Sequence, residues 1–230
     1  MEKEVLLKLA KWSRVPYQLQ DHWHNLKDVR ILPSSDPSII RGLVAQTKMG
    51  LVVSIKGTQN IRDLFTDFKA SKKTFLGGYR VHEGFLGEYN IIWPQLKKDT
   101  HQPIYVTGHS AGGAVATLLA LAMNTQWGIN PIVATFGSPR VGDHLFTKYY
   151  NLLIPNTTRV VHNLDIVPRV PSIEYAHVDT LLHLNRRGHI IGPFRTWFDQ
   201  IFEESVSVFD GLAFRNHHIA TYVDCVRNMK

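Results

Sequence analysis

Apolar residues recur along this chain with two periods, one helical and one of strand type, and the two alternate. Residues 1–13 place Val5, Leu6, Leu9 and Trp12 at helical spacing, giving an opening helix one apolar face. Leu51-Val52-Val53-Ser54-Ile55 is a short run rich in β-branched residues, ended by Lys56-Gly57-Thr58, and reads as a strand. Over 83–98, Phe85, Leu86, Tyr89, Ile92, Trp93 and Leu96 line one side of a helix that Pro94 should kink or end early. Ile104-Tyr105-Val106-Thr107 predicts a buried strand, followed by a sharp turn at Gly108-His109-Ser110 and a helix over 111–123. Residues 132–136 form another strand, closed by Gly137-Ser138-Pro139, and 158–162 a third in the same style, with Asp165 just beyond it. The stretch 175–184 alternates and predicts an edge or antiparallel strand. Phe194, Trp197, Phe198, Ile201, Phe202 and Val206 give 194–209 a helical stripe, and a last helix spans about 218–228.

Strands alternating with helices predict an α/β fold built on a mostly parallel central sheet flanked by helices. No repeat, low-complexity tract or linker interrupts the chain, so residues 1–230 read as a single domain. Thr58, Ser110 and Asp165 each follow the C-terminal end of a predicted strand, the edge of an open α/β sheet where ligands bind.

Composition narrows the functional classes. At 44% apolar and 20% charged over 230 residues, the chain has the balance of a globular domain and not of a disordered segment. Its longest near-apolar run, 111–123, falls short of the roughly 20 residues that cross a bilayer, so no transmembrane segment is expected. Lys8 interrupts the apolar start where a secretory signal would need an unbroken core, and the lone Cys225 permits no intrachain disulfide. Together these predict an intracellular, cytoplasmic location, with secretion as the alternative. The net charge of +7 is spread along the chain, with small clusters at Lys69, Lys72, Lys73 and at Arg186, Arg187. No basic stripe or recognition motif stands out, so no nucleic-acid partner is expected; the charge serves solubility or a transient contact with anionic lipid surfaces. Asp21-His22-Trp23-His24 and the histidines at 177, 183 and 189 lack zinc-ligand spacing, and no phosphate loop or dinucleotide fingerprint is present. Neither a metal nor a cofactor is expected.

Gly108-His109-Ser110-Ala111-Gly112 fits the Gly-x-Ser-x-Gly nucleophile elbow, with a strand before it and a helix after. The serine must take a strained backbone conformation in a very tight turn, and glycines two residues to either side avoid collision with the neighbouring strand and helix. The serine oxygen is then expected to stand clear at the sheet edge, facing the positive end of the new helix. The competing reading is a serine that merely caps the helix.

The run Val106-Thr107-Gly108-His109-Ser110-Ala111-Gly112-Gly113-Ala114-Val115-Ala116 resembles the class 3, fungal triacylglycerol lipase-like family of the α/β-hydrolase superfamily. Further matches follow the same order: Gly57-Thr58 with downstream Asp63 and Asp67, Val81-His82-Glu83-Gly84-Phe85, Thr135-Phe136-Gly137-Ser138-Pro139-Arg140-Val141-Gly142-Asp143, and Val161-His162-Asn163-Leu164-Asp165-Ile166-Val167-Pro168. The resemblance implies a serine carboxylic-ester hydrolase acting on acylglycerols through an acyl-serine intermediate. A phospholipase A1, a small-ester carboxylesterase or a non-catalytic lipase-like scaffold are the alternatives. It makes Ser110 the nucleophile and Asp165 the acid, against the plainer reading of Asp165 as a turn residue. The base is His217 or His218: the family's histidine precedes a tyrosine by three to five residues, and Tyr222 follows both. Matching Ile219 and Tyr222 to the family pattern favours His217, which also lies ahead of the stripe Ile219, Tyr222, Val223, Val226 and is free to turn to the sheet edge. The backbone N–H groups of Ala111 and Thr58 are the implied oxyanion donors. His162, His177, His183 and His189 read as structural, and His109 as the variable elbow position where bulk is tolerated. Residues 59–70 or 194–209 would cover the site as a lid, or 194–209 would pack as an ordinary helix.

Overall fold

Alternation within single strands sets the architecture of the computed structural model, which describes residues 1–18, 28–34, 39–58, 71–99, 101–171, 174–178, 180–191 and 215–230. In strand β3 (Gly50–Ile55), Val53 and Ile55 point to one face of the sheet and Val52 to the other. The neighbouring β6 (Ile104–His109) sorts Ile104 and Val106 from Tyr105 in the same way, and β7 (Ile132–Phe136) sorts Val133 from Ala134 and Phe136. Every residue of β6 and of β8 (Thr157–His162) is buried, as expected of parallel strands covered on both faces.

The main sheet has eight strands in the order β1-β2-β3-β6-β7-β8-β9-β10. Strands β3, β6, β7, β8 and β9 (Leu181–Leu184) run parallel. Antiparallel additions flank them: β1 (Val29–Pro33) and β2 (Ile40–Thr47) on one side, the two-residue β10 (Ile190–Ile191) on the other. A separate hairpin pairs β4 (Lys72–Thr74) with β5 (Arg80–His82). The α/β expectation therefore holds. The stretch 175–184 is corrected in detail: its strand is parallel to β8 and lies inside the sheet, because β10 pairs beyond it.

Helices cover both faces. On one face α2 (Glu83–Ile92), α3 (Ala111–Trp127) and α4 (His144–Leu153) contribute Phe85, Tyr89, Leu118, Leu119, Phe146 and Tyr150 to the larger core. On the other, α1 (Lys3–Gln18) brings Leu6, Leu9 and Ala10, and α5 (Ile219–Arg227) brings Tyr222, Val223 and Val226. Helix α2 stops at Ile92 and passes into a 3-10 turn over Trp93–Gln95, which carries the Pro94 that was expected to end it. Helix α3 is buried on nearly all sides from Gly112 to Met123, which places it at the centre of its layer directly behind β6. Among the described residues no helix is long and apolar enough to cross a membrane. The apolar stripe read over 194–209 and the segment 59–70, with Asp63 and Asp67, lie outside the described residues.

Candidate active site

Strand β6 ends at His109, helix α3 begins at Ala111, and Ser110 alone makes the turn between them. It does so at φ 59°, ψ −134°, a backbone conformation that costs a side-chain-bearing residue of order 1–3 kcal/mol. Two anchors hold it there. The Ser110 N–H donates to the Phe136 carbonyl on β7 at 2.9 Å, and the Ser110 carbonyl accepts from the Gly113 N–H at 2.9 Å. The flanking glycines are sterically required: a Cβ on Gly108 would lie 2.3 Å from the Gly112 carbonyl oxygen, and one on Gly112 2.3 Å from that of Ile55. Ser110 occupies the helix-capping position, yet its side chain makes no capping bond. By contrast, Asp143 and His218 cap α4 and α5 with their side chains. The plain capping reading of Ser110 therefore fails. The expectation of an oxygen standing clear of the surface is also corrected. Ser110 is 1% exposed, and the Gly57 loop packs so close to it that a Cβ on Gly57 would lie 2.9 Å from the Ser110 Cβ.

Asp165 follows β8 in a turn closed by its N–H to the His162 carbonyl, and its Oδ1 accepts from the Val167 N–H at 2.9 Å. It is thus a turn aspartate as well as a candidate acid. His217 precedes α5 and is fully buried, with Nδ1 2.8 Å from Asp165 Oδ2 and 3.0 Å from Oδ1. Tyr222, one turn into α5, donates its O–H to Asp165 Oδ2 at 2.5 Å. Burial, and then the negative Asp165 beside it, push the Tyr222 pKa well up, so the phenol keeps that proton. A carboxylate accepting from His217, Tyr222 and Val167 is locked in orientation and locks the imidazole with it. His218 is elsewhere occupied: exposed, its Nδ1 accepts the Ala220 N–H at 3.2 Å.

Gly137 lets Asp165 and His217 approach β7. Its φ is +60°, and a Cβ there would lie 2.8 Å from Asp165 Oδ2 and 3.0 Å from His217 Nδ1. After these contacts two polar atoms are left over. Ser110 Oγ and His217 Nε2 are buried, and neither has a hydrogen-bond partner among the described residues. Buried polar groups are nearly always satisfied, so an unpaired Ser110 Oγ and His217 Nε2 beside the Asp165 contact are candidates for chemistry; Thr135 Oγ1 and Asn216 Nδ2 are likewise unpaired among the described residues. Thr58 lies after β3 at the same edge, and with Tyr17, His109 and His217 it lines a cleft of about 400 Å³. Ala111 opens the first turn of α3, where backbone N–H groups have no intrahelical acceptor.

Sequence reading underrated His109 and missed Tyr17. His109 does more than add bulk beside the elbow: it is 5% exposed, and both ring nitrogens are in hydrogen-bond contact, Nδ1 with Tyr17 Oη and Nε2 with the His217 carbonyl. Its place beside the elbow serine was the one local signal. His162 and His183 contact the carbonyls of Asn216 and Asn163, and His177 that of Pro168, roles consistent with structural residues. Among the described residues no group of three or more histidine, cysteine, aspartate or glutamate side chains is placed to hold a metal. The segment 21–24 lies outside them.

Comparison with known proteins identifies the family and the fold. The family model described as Lipase (class 3) matches residues 52–175. Secreted mono- and diacylglycerol lipase 1 of Fusarium solani is 34% identical over 168 residues, covering 63% of this chain and 50% of the relative. Phospholipase A1-II 4 of Oryza sativa subsp. japonica is 32% identical over 182 residues, covering 64% and 46%. The chain thus spans about half the length of these relatives. The solved triacylglyceride lipase of Rhizomucor miehei superposes with a TM-score of 0.64 at 24% identity, over 80% of this chain and 81% of its own, which shows the fold. The expected intracellular location is overturned by the relatives, among them one named as secreted. A core of two extensive apolar clusters needs no disulfide staple, so the cysteine count did not report the compartment.

Proposed function

We propose, from the premise that this chain belongs to the class 3 lipase family, that it is a serine ester hydrolase acting on acylglycerols. The observation that carries the reading is the pair of orphaned atoms, Ser110 Oγ and His217 Nε2, at the end of an Asp165–His217 contact of 2.8 Å. His217 Nε2 takes the Ser110 proton as Oγ attacks the ester carbonyl carbon. The oxyanion that forms is held by the N–H groups of Ala111 and Thr58, with the N-terminus of α3 adding positive potential. Collapse expels the alcohol, which receives the proton from His217. Water, deprotonated by the same imidazole, then releases the acid from acyl-Ser110. Asp165 orients the ring and stabilises the imidazolium without itself taking a proton. Substrate enters by the cleft beside Thr58 and His217, which has to widen over the buried Ser110. The net charge of +7 favours transient attraction to anionic lipid surfaces. The packing of α1 and α5 on one face of one sheet supports a single domain over 1–230.

The relative named as a phospholipase A1 supports a second reading, in which the scissile ester belongs to a glycerophospholipid. Covalent labelling with a fluorophosphonate, followed by turnover of mono-, di- and triacylglycerol and phosphatidylcholine, tests both. Wild type labels, Ser110→Ala does not, and His217→Ala loses about 10⁴-fold or more in kcat while His218→Ala stays near wild type. Equal labelling of Ser110→Ala refutes the reading. Faster cleavage of phosphatidylcholine than of any acylglycerol selects the second.

A further inference from the structure

Three hydrogen bonds join the loop bearing Thr58 to the backbone of His217, through two side chains that the ester chemistry does not consume. The Gly57 N–H donates to Tyr17 Oη at 2.9 Å, Tyr17 Oη lies 3.0 Å from His109 Nδ1, and His109 Nε2 lies 2.5 Å from the His217 carbonyl oxygen. Their directions follow from what each atom is able to do. A carbonyl oxygen only accepts, so the network assigns the His109 proton to Nε2. A neutral imidazole protonated there accepts at Nδ1, so Tyr17 donates its O–H to it. An amide N–H only donates, so the Tyr17 oxygen accepts from Gly57. The chain runs one way, and each polar atom in it is satisfied.

We propose that Tyr17 and His109 are positioning residues for ester cleavage, a role that rests on the reading of Ser110, Asp165 and His217 given above. Tyr17 fixes the loop that aims the Thr58 N–H at the oxyanion, and His109 fixes the backbone that carries the base. Close packing supports both parts. A Cβ on Gly57 would lie 2.6 Å from Tyr17 Oη and 2.9 Å from the Ser110 Cβ, so the loop is clamped between the phenol and the nucleophile. The His109 ring centroid is 4.5 Å from that of His217 and 5.7 Å from that of Tyr17, edge-on. Burial holds the His109 pKa well below 6.5, and a charge on His217 lowers it further. When His217 takes the serine proton, its neighbour has no free lone pair and no tendency to share the charge. Burial also raises the Tyr17 pKa, which keeps its donor proton in place.

The test measures kcat and KM on a soluble short-chain p-nitrophenyl ester, with melting temperatures, for wild type, Tyr17→Phe, His109→Gln and His109→Leu. Tyr17→Phe keeps the ring and loses the oxygen, so KM stays within about twofold while kcat falls roughly 10- to 100-fold, the scale of a 1 Å misplacement. His109→Gln keeps an N–H for the His217 carbonyl, so it retains clearly more kcat than His109→Leu. A kcat for Tyr17→Phe within about threefold of wild type overturns the proposal. So do equal losses in the two His109 variants, or a lowered melting temperature with kcat per folded molecule unchanged, which is the signature of a merely structural role. A Ser110→Ala variant that still cleaves the ester would instead refute the assignment of the nucleophile, and so separates the two failures.

Discussion

A single methyl group at Gly137 would strike Asp165 and His217, the proposed acid and base, together. The residue sits at φ +60°, where an L-amino acid pays about 1–2 kcal/mol. The added carbon would also lie 2.8 Å from Asp165 Oδ2 and 3.0 Å from both Nδ1 and Cε1 of His217, inside contact distance for all three. Neither partner yields easily. Asp165 is held by Tyr222 and Val167, and His217 is fully buried. Overpacking of this kind costs about 1–3 kcal/mol more. Gly137→Ala is therefore expected to lower the melting temperature by roughly 5–15 °C for a domain of this size. Displacement of the imidazole by several tenths of an ångström or more should lower kcat on a soluble ester by up to about 100-fold. Gly128→Ala separates the two effects. Gly128 caps α3 at φ +70° with no atom within 4 Å of its Cβ position, so the same backbone strain arises there without any contact. That control should lose stability and keep kcat per folded molecule. Equal kcat in Gly137→Ala and Gly128→Ala would refute the reasoning, because it would mean that the Asp165–His217 contact does not set the position of the base.

Two further outcomes follow from strain and burial. Ser110→Gly removes the side chain from an unfavourable backbone conformation worth about 1–3 kcal/mol, less about 0.5–1 kcal/mol of glycine entropy, so it should melt above Ser110→Ala while both are inactive; a lower melting point for the glycine variant would refute strain at the elbow. His109 and His162 are buried with pKa values that burial holds below 6.5, so the unfolded chain takes up those protons first as pH falls. Stability is then full above about 6.5 and drains away below it, each histidine steepening the loss by about 1.4 kcal/mol per pH unit until its folded pKa is reached. Urea midpoints that stay level between about pH 7.5 and pH 5 would contradict this.

Ser110 and Asp165 stood out as candidates by position, in a pentapeptide between a strand and a helix and just past a strand, while the acid role of Asp165 came from the family resemblance. His217 was preferred over His218 by matching Ile219 and Tyr222 to the family pattern, with the helix stripe as added support, and Ile219, Tyr222, Val223 and Val226 are buried in α5. Strand β2 escaped notice because Arg41, Gly42 and Gln46 break the alternation, although 42–45 are buried by pairing with β1 and β3. Helix α4 escaped because Leu145 and Leu152 are exposed, which blurs an apolar face that in fact rests on Phe146 and Tyr150. Tyr17 and His109 were illegible for a different reason. Their contact spans 92 positions, and nothing about a tyrosine near the end of a helix reports what lies across the sheet from it.

The side-by-side packing of α1 and α5 on one layer means that the catalytic edge draws on the first and last helices alike, along with loops from the chain's middle. On the proposed mechanism, bond cleavage is thus an all-or-none report on assembly. A partly formed intermediate with the parallel strands and α3 in place would already own the proposed nucleophile, yet it would stay inert until α1 and α5 had docked. Turnover recovered during refolding should consequently lag behind the return of helical signal, and the lag times the arrival of those two helices.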